Sequence, residues 1–225
     1  MTLLHRPGVQ GWLRGHVRCR VADAGARFAL TFDDGPSPRN TPRLLEVLAR
    51  HGARATFFLI SGRARRHREL TRRIAAGGHE IGTHGRLHLP AWLMPRPLLE
   101  RELDSSVAEI GEACGRAPRH YRAPFGFLFP AQASWVRARG VTPVLGSSYP
   151  LDFRVRDAGI IARRVLERLE PGAIVILHDS SALMDPDRGP TIDAVDTILA
   201  QAHARGLSSV SVAELVDGAG HARGA

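Results

Sequence analysis

No lysine occurs in the chain: all 31 basic side chains are arginine, and 22 acidic residues leave a formal charge of +9. A balance of that sign raises the question of nucleic acid or an anionic membrane surface. Total replacement of lysine by arginine, scattered along the chain, reads better as a coding bias than as a binding patch, so no nucleic-acid partner is expected. The densest cluster, Arg63-Ala-Arg65-Arg66-His67-Arg68, suits a solvated helix face better than a phosphate or anionic-lipid site. Cysteine is scarce too. Cys19 and Cys114 form no CxxC and cannot build a disulfide framework. Cys114 closes an apolar helical stripe and is expected to be a buried structural thiol. No apolar run approaches the ~18 residues of a membrane span, and Met1–Gly8 lacks the apolar core of a secretory signal. A cytoplasmic protein, at most peripheral to the membrane, is the expectation. The 44% hydrophobic and 24% charged residues exclude a disordered chain and fit one domain with a core of its own.

Short β-type runs alternate with helical stretches. Strands are expected at Arg27–Phe32, Ala55–Ile60, His79–Gly82, His120–Ala123, Val141–Leu145, Ala173–Leu177 and Ser208–Val212. Between them apolar residues recur at helical spacing, as in Leu99-Leu103-Val107-Ile110-Cys114 and Ile192-Val195-Ile198-Leu199-Ala202. Gly52, Gly77-Gly78, Gly115, Gly140 and Gly206 fall where helices should stop. Thr41-Pro42 reads as an N-cap followed by proline at the first helical position. Such alternation predicts an α/β fold with a mostly parallel sheet, open or closed as a barrel.

The unusual polar residues all follow strands. Asp33-Asp34-Gly35-Pro36 follows the first, His84 and His88 the third, Arg122 to Gly126 the fourth, Asp152 the fifth, and His178-Asp179 the sixth. In a parallel β/α architecture those ends converge on the face where active sites are built. Two histidines four apart, joined by an aspartate from the first strand, make a two-nitrogen, one-oxygen set with open positions, as catalytic zinc requires. Read alone, His88 is equally a surface residue beside a loop. Adjacent carboxylates repel, and Asp33-Asp34 makes sense beside a cation: one can bind it while the other serves as general base. The bland alternative is a carboxylate capping the Gly35-Pro36 corner. His178 leaves a strand apolar enough to be central and can be a general acid, a fourth ligand or a cap. Arg122 can hold a first-strand carboxylate ionised, or form an ordinary surface ion pair.

These residues resemble the polysaccharide deacetylases, carbohydrate esterase family four. Thr31-Phe-Asp-Asp-Gly-Pro36 is similar to the family's first motif, Gly78-His-Glu-Ile-Gly-Thr-His84 with His88 to its second, Arg122-Ala-Pro-Phe-Gly126 to its third and Ile176-Leu-His178 to its fifth. The likeness runs from about Phe28 to Leu215. It implies a single-domain, distorted (β/α)7 barrel over residues 27–216, with an N-terminal extension at 1–26 and a flexible tail at 217–225. It implies Asp33 as base, Arg122 as its partner, Asp34, His84 and His88 as metal ligands, and His178 as the acid, oriented by Asp152. The backbone N–H of Phe125 would face the oxyanion, while Pro124, Phe125, Gly126, Phe153 and Ile176 would contact substrate. The implied activity is metal-dependent removal of N-acetyl groups from an oligosaccharide, polysaccharide or lipid-linked aminosugar. Zn2+ is the first expectation for the metal, with Co2+ and Ni2+ also suited to the donors.

Three positions depart from the family pattern. Gly85 lacks a hydroxyl usual there, Tyr149-Pro-Leu-Asp152-Phe153 replaces the usual Asp-Trp pair, and Ile176 stands in place of Leu. Rival readings are a related hydrolase acting on a formyl group or a cyclic amide, and a glycan-binding pseudoenzyme. The ligand set also suits an iron oxygenase, but the β/α rhythm opposes the all-β barrel usual there. Two loops, Pro90-Ala-Trp92-Leu-Met-Pro95 and Phe125-Gly-Phe127-Leu-Phe129-Pro130, are unusually apolar. They either pack together as a lid or leave Trp92 and Phe127 as an exposed lip suited to a lipid-carried substrate. Oligomeric state has no signature in the sequence.

Overall fold

The computed structural model describes residues 17–221. Its centre is β1, Arg27–Asp33, where every second side chain is apolar and turned toward the helices: Phe28, Leu30 and Phe32, all fully buried. The alternate residues Ala29, Thr31 and Asp33 face the other way, into the barrel, as the two-residue period of a strand requires. Parallel pairing extends on both sides, to β2 (Ala55–Leu59) and β6 (Ile174–His178). Beyond β2 lie β3 (Glu80–Thr83), β4 (His120–Tyr121) and β5 (Thr142–Pro143), giving the order β5-β4-β3-β2-β1-β6. The short β7 (Ser208–Ser209) pairs with the amino end of β1, opposite Arg27 and Phe28.

All seven expected strands are present, and the curled, all-parallel sheet has the expected single-domain α/β form. Three strands are shorter than the sequence predicts by two residues or more, for local reasons. Pro124 ends extended pairing after Arg122, the bonding of β5 to β4 stops at the Val144 N–H on the Tyr121 carbonyl, and Val212 begins the last helix. Strands β5 and β6 do not pair as strands. Their seam is bridged by Ser148, paired to Val175, and by the segment before β1, where Arg18 pairs with Val144 and Arg20 with Ala173.

Helices α1 (Thr41–Arg50), α2 (Ser61–Arg66), α3 (Arg68–Ala76), α4 (Arg96–Cys114), α5 (Pro130–Ala138), α6 (Ala158–Leu166), α7 (Gly189–Ala204) and α8 (Val212–His221) surround the sheet. Leu44, Leu48, Ile161, Val165, Val195 and Ile198 bury their faces against the outward side of β1, β2 and β6. Each such side chain contributes roughly 1.5–3 kcal/mol when fully buried. Thr41 is not the N-cap but the first helical residue, with Asn40 at the cap; its hydroxyl is taken by Asp179 instead. Gly115 ends α4 in a left-handed conformation (φ 80°), as expected. Cys114 is only half buried, its Sγ donating to the Ile110 carbonyl. Helix α8 continues across the boundary set at residue 216, and residues 222–225 and 1–16 lie outside the described part. Among the described residues no helix is long and apolar enough to cross a membrane.

Candidate active site

The barrel interior is stratified by the register of β1 and β6. Ala29 stands opposite Ile174, Thr31 opposite Ile176, and Asp33 opposite His178. The lowest layer is apolar, with Phe58 and Ala29 packed against Val210, Val212 and Leu215. The Arg122 guanidinium lies 4.1 Å above the Phe58 ring, in the middle layer. From there it donates to Thr31 Oγ1 (2.6 Å), Asp33 Oδ1 (2.7 Å) and the Leu145 carbonyl (3.0 Å). Asp33 is thus tied to a cation almost wholly withdrawn from water. A charge-assisted bond of this kind is stronger than a neutral one, and either partner alone would be a buried, uncompensated charge.

Above this layer Asp34, His84 and His88 converge. Asp34 Oδ1 lies 3.6 Å from His84 Nε2 and 3.2 Å from His88 Nε2, and one ligand atom from each lies within 4.8 Å of the others. His84 Nδ1 is 2.8 Å from the Arg122 carbonyl, an acceptor, so that nitrogen carries the proton and Nε2 presents a lone pair. Burial lowers the His84 pKa, against the raising pull of Asp33 and Asp34. A lone pair and a carboxylate therefore face each other, and the buried Asp34 Oδ1 has no hydrogen-bond donor. Burial alone would raise the Asp34 carboxyl, but the His88, His84 and His178 rings hold it below the usual carboxylate range. A buried carboxylate oxygen facing two imidazole nitrogens, one of them presenting a lone pair, fits a divalent cation.

The backbone that aims these groups is unusual. Asp34 (φ 74°) and His88 (φ 54°) are both left-handed, a conformation that non-glycine residues adopt only when their surroundings enforce it. The stretch from His84 to His88 is not a helical turn. Glu102 Oε1, reaching across from α4, accepts the Arg86 and Leu87 N–H groups at 2.8 and 3.0 Å. The bracing missing from Gly85 is thereby supplied from outside the loop.

His178, opposite Asp33, is held by Asp152, whose Oδ1 is 2.9 Å from Nδ1 and whose Oδ2 accepts the His178 N–H and the Thr191 hydroxyl. Burial would lower the imidazole pKa, but Asp152, followed by Asp33 and Asp34, outweighs it and pushes it up to about 9. Asp33, Asp34, His84, His88, Arg122, Phe125, Gly126, Phe153, Ile176 and His178 line one cavity of about 610 Å3. Asp152 stands behind His178, and Pro124 is buried beneath the Phe125 turn, where Phe125 is left-handed (φ 62°). Phe153 meets the His178 ring edge-on at 5.5 Å and stacks on Tyr149. Sequence reasoning did not assign Tyr149, Leu145, Gly146 or Cys19 to this cavity. Nor did it assign a role to Asp179, which packs so closely on Gly35 that an added Cβ would lie 2.5 Å from Oδ1.

The apolar loops form both a lid and a lip, from different residues than expected. Trp92 and Phe127 are half buried, with Trp92 edge-on to both Phe125 and Phe127. Within the two loops the exposed large hydrophobic side chains are instead Leu93, Phe125 and Phe129. Of nine exposed large hydrophobics among the described residues, six line the cavity: Leu87, Leu89, Phe125, Phe153, Leu183 and Met184.

An arginine-held carboxylate, an aspartate-held imidazole and a candidate three-donor cation site gathered at the carboxyl end of a parallel barrel are the groups a hydrolase needs. A family model described as polysaccharide deacetylase matches residues 21–144, and the chain belongs to that family as a carbohydrate deacetylase. It is similar to a chitooligosaccharide deacetylase of Sinorhizobium fredii, 35% identical over 185 residues, spanning 79% of this chain and 86% of the relative. It is also similar to a peptidoglycan-N-acetylglucosamine deacetylase of Bacillus cereus, 33% identical over 204 residues, spanning 90% and 93%. A crystal structure of a peptidoglycan N-acetylglucosamine deacetylase superposes with a TM-score of 0.85 at 26% identity, covering 92% of this chain and 96% of that one.

Proposed function

We propose that the protein hydrolyses the N-acetyl group of an aminosugar in a glycan, with a divalent cation held by Asp34, His84 and His88. The observation that carries this reading is the buried Asp34 oxygen facing two imidazole nitrogens, between the Asp33–Arg122 and His178–Asp152 pairs. Zn2+ suits two nitrogens and one oxygen, and Co2+ or Ni2+ would be accepted. Such a cation polarises the acetamide carbonyl and makes water acidic enough to attack at neutral pH.

The chain's own residues do the rest. Asp33, held in place by Arg122, takes the proton of the attacking water. The backbone N–H of Phe125 donates to the carbonyl oxygen as it gains charge. His178, charged and oriented by Asp152, protonates the departing amine. Phe153 and Gly126 shape the groove on the sugar side, Pro124 supports the Phe125 turn from beneath, and Ile176 meets the acyl group. Asp33, Asp34, His84, His88 and His178 are all in place, which supports an active enzyme over a glycan-binding pseudoenzyme. The test compares N-acetylated chitooligosaccharides and peptidoglycan fragments with N-formyl and cyclic-amide analogues: acetate release from the first supports the reading, whereas turnover confined to the formyl or cyclic substrates favours the related hydrolase.

A finer reading concerns how the sugar is presented. The exposed Leu87, Leu89, Phe125, Leu183 and Met184 make an apolar rim to the cavity. Leu183 is 93% exposed, a position that costs apolar hydration unless something covers it. This rim supports a lipid-linked aminosugar met at a membrane surface, with the aliphatic side chains against the lipid.

A further inference from the structure

The cavity does not end at the catalytic layer. Below Asp33 and His178 it continues between Ile176 and Leu145, past the Arg122 guanidinium, to Cys19. Gly146 permits the close approach of this wall to β6, since a Cβ there would lie 2.5 Å from Ile176 Cγ1. Cys19 comes from the segment that bridges the seam between β5 and β6. The Leu145 N–H donates to the Arg18 carbonyl at 2.8 Å, and Cys19 packs against Leu145. A second cavity of about 900 Å3 lies on the other side, bordered by Arg18, Arg20, Thr142 and Pro143. Cys19 and Ser147 line both cavities. They form a thin partition between the active site and the space behind it.

The direction of the substrate follows from the layers. The sugar enters at the mouth, and the departing nitrogen must reach His178 in the upper layer. The acyl substituent lies on the opposite side of the reacting carbon and is directed downward, toward Ile176, Leu145 and Cys19.

We propose that Cys19 is the floor of the acyl pocket and sets the length of the acyl group removed. This rests on the deacylase reading above. A side chain of one sulfur beyond Cβ leaves room for a short acyl chain, and the second cavity offers space for a longer one once the partition is thinned. Discrimination by a single methylene in an apolar pocket is about 10–200-fold.

The experiment compares N-formyl, N-acetyl, N-propionyl and N-butyryl chitooligosaccharides on the zinc-loaded wild type, Cys19→Ala and Cys19→Leu. Formate, acetate, propionate and butyrate binding is measured by calorimetry on the same proteins. Cys19→Ala is expected to raise the propionyl-to-acetyl ratio of kcat/KM by about tenfold or more and to tighten propionate relative to acetate. Cys19→Leu is expected to shift the preference toward formyl. Zinc content and thermal unfolding are followed in parallel, and Cys19→Ala decides the matter alone if the leucine variant does not fold. Unchanged acyl ratios and unchanged relative carboxylate affinities in a folded Cys19→Ala protein would overturn the proposal. A wild type that releases no acid from any substrate would instead defeat the deacylase reading, and the carboxylate affinities would then decide the role of Cys19.

Discussion

Asp33 Oδ1 and Arg122 Nη1 lie 2.7 Å apart, and this is the most deeply buried arginine–carboxylate pair among the described residues. The pair fixes a negative charge beside the cation site without letting that carboxylate drift into it. Asp33→Asn is therefore expected to cut turnover by about 10² or more, with zinc content measured by elemental analysis nearly unchanged. Loss of zinc in that variant would exchange the roles given to Asp33 and Asp34.

Arg122→Met leaves the Asp33 carboxylate buried without its partner, at a cost of about 3–5 kcal/mol. Chemical denaturation should register a loss of that size, with the midpoint lowered and the slope preserved. A loss below about 1 kcal/mol would mean that Asp33 is far less dependent on Arg122 than its burial implies.

The His178–Asp152 pair gives a pH prediction. An acid must be protonated to work, so activity falls as pH rises through the His178 pKa. That pKa is pushed up to about 9, burial being outweighed by Asp152 and the two first-strand carboxylates. Asp152→Asn removes the leading upward contribution and should move the alkaline limb of kcat/KM to lower pH. An NMR titration of His178 should move in the same direction. An alkaline limb that stays in place would remove His178 from the role of acid.

Much of this was legible before any coordinates, for identifiable reasons. The strands are short apolar runs bounded by Gly and Pro, and Asp33, Asp34, His84, Arg122 and His178 each sit at or just beyond a strand's end. What lay hidden depends on contacts remote in sequence. Glu102 braces the loop at residues 86–87 from another helix, and Asp179 takes the hydroxyl that would otherwise mark Thr41 as a cap. Cys19 reaches the cavity only because its segment bridges the seam between β5 and β6. The rim residues Leu183 and Met184 stand in a loop with no periodicity, so nothing in their spacing announces a surface.

Glu102 touches neither His84 nor His88, but it accepts two backbone donors of the loop between them. A charged acceptor holds those donors more firmly than an amide does. Glu102→Gln is expected to weaken zinc affinity by about tenfold, the low end for groups that orient ligands, as read by competition with a chelating dye. Unaltered affinity would show that the loop needs no such brace.

The apolar rim separates two kinds of substrate. The double change of Leu183→Ser with Met184→Ser should reduce kcat/KM on a lipid-linked N-acetyl aminosugar while sparing soluble chitooligosaccharides. Co-sedimentation with anionic vesicles should fall in step. Equal effects on both substrates would remove the lipid-linked form from the account.

The central claim is that Asp34, His84 and His88 hold a cation on which deacetylation depends. It is tested most directly by acetate release from an N-acetylated chitooligosaccharide before chelation, after exhaustive chelation, and after adding back one equivalent of zinc. The expected result is loss of activity on chelation, recovery at a stoichiometry of one, and no recovery in His84→Ala, whose zinc content should fall. Full activity in protein shown by elemental analysis to be metal-free would contradict it.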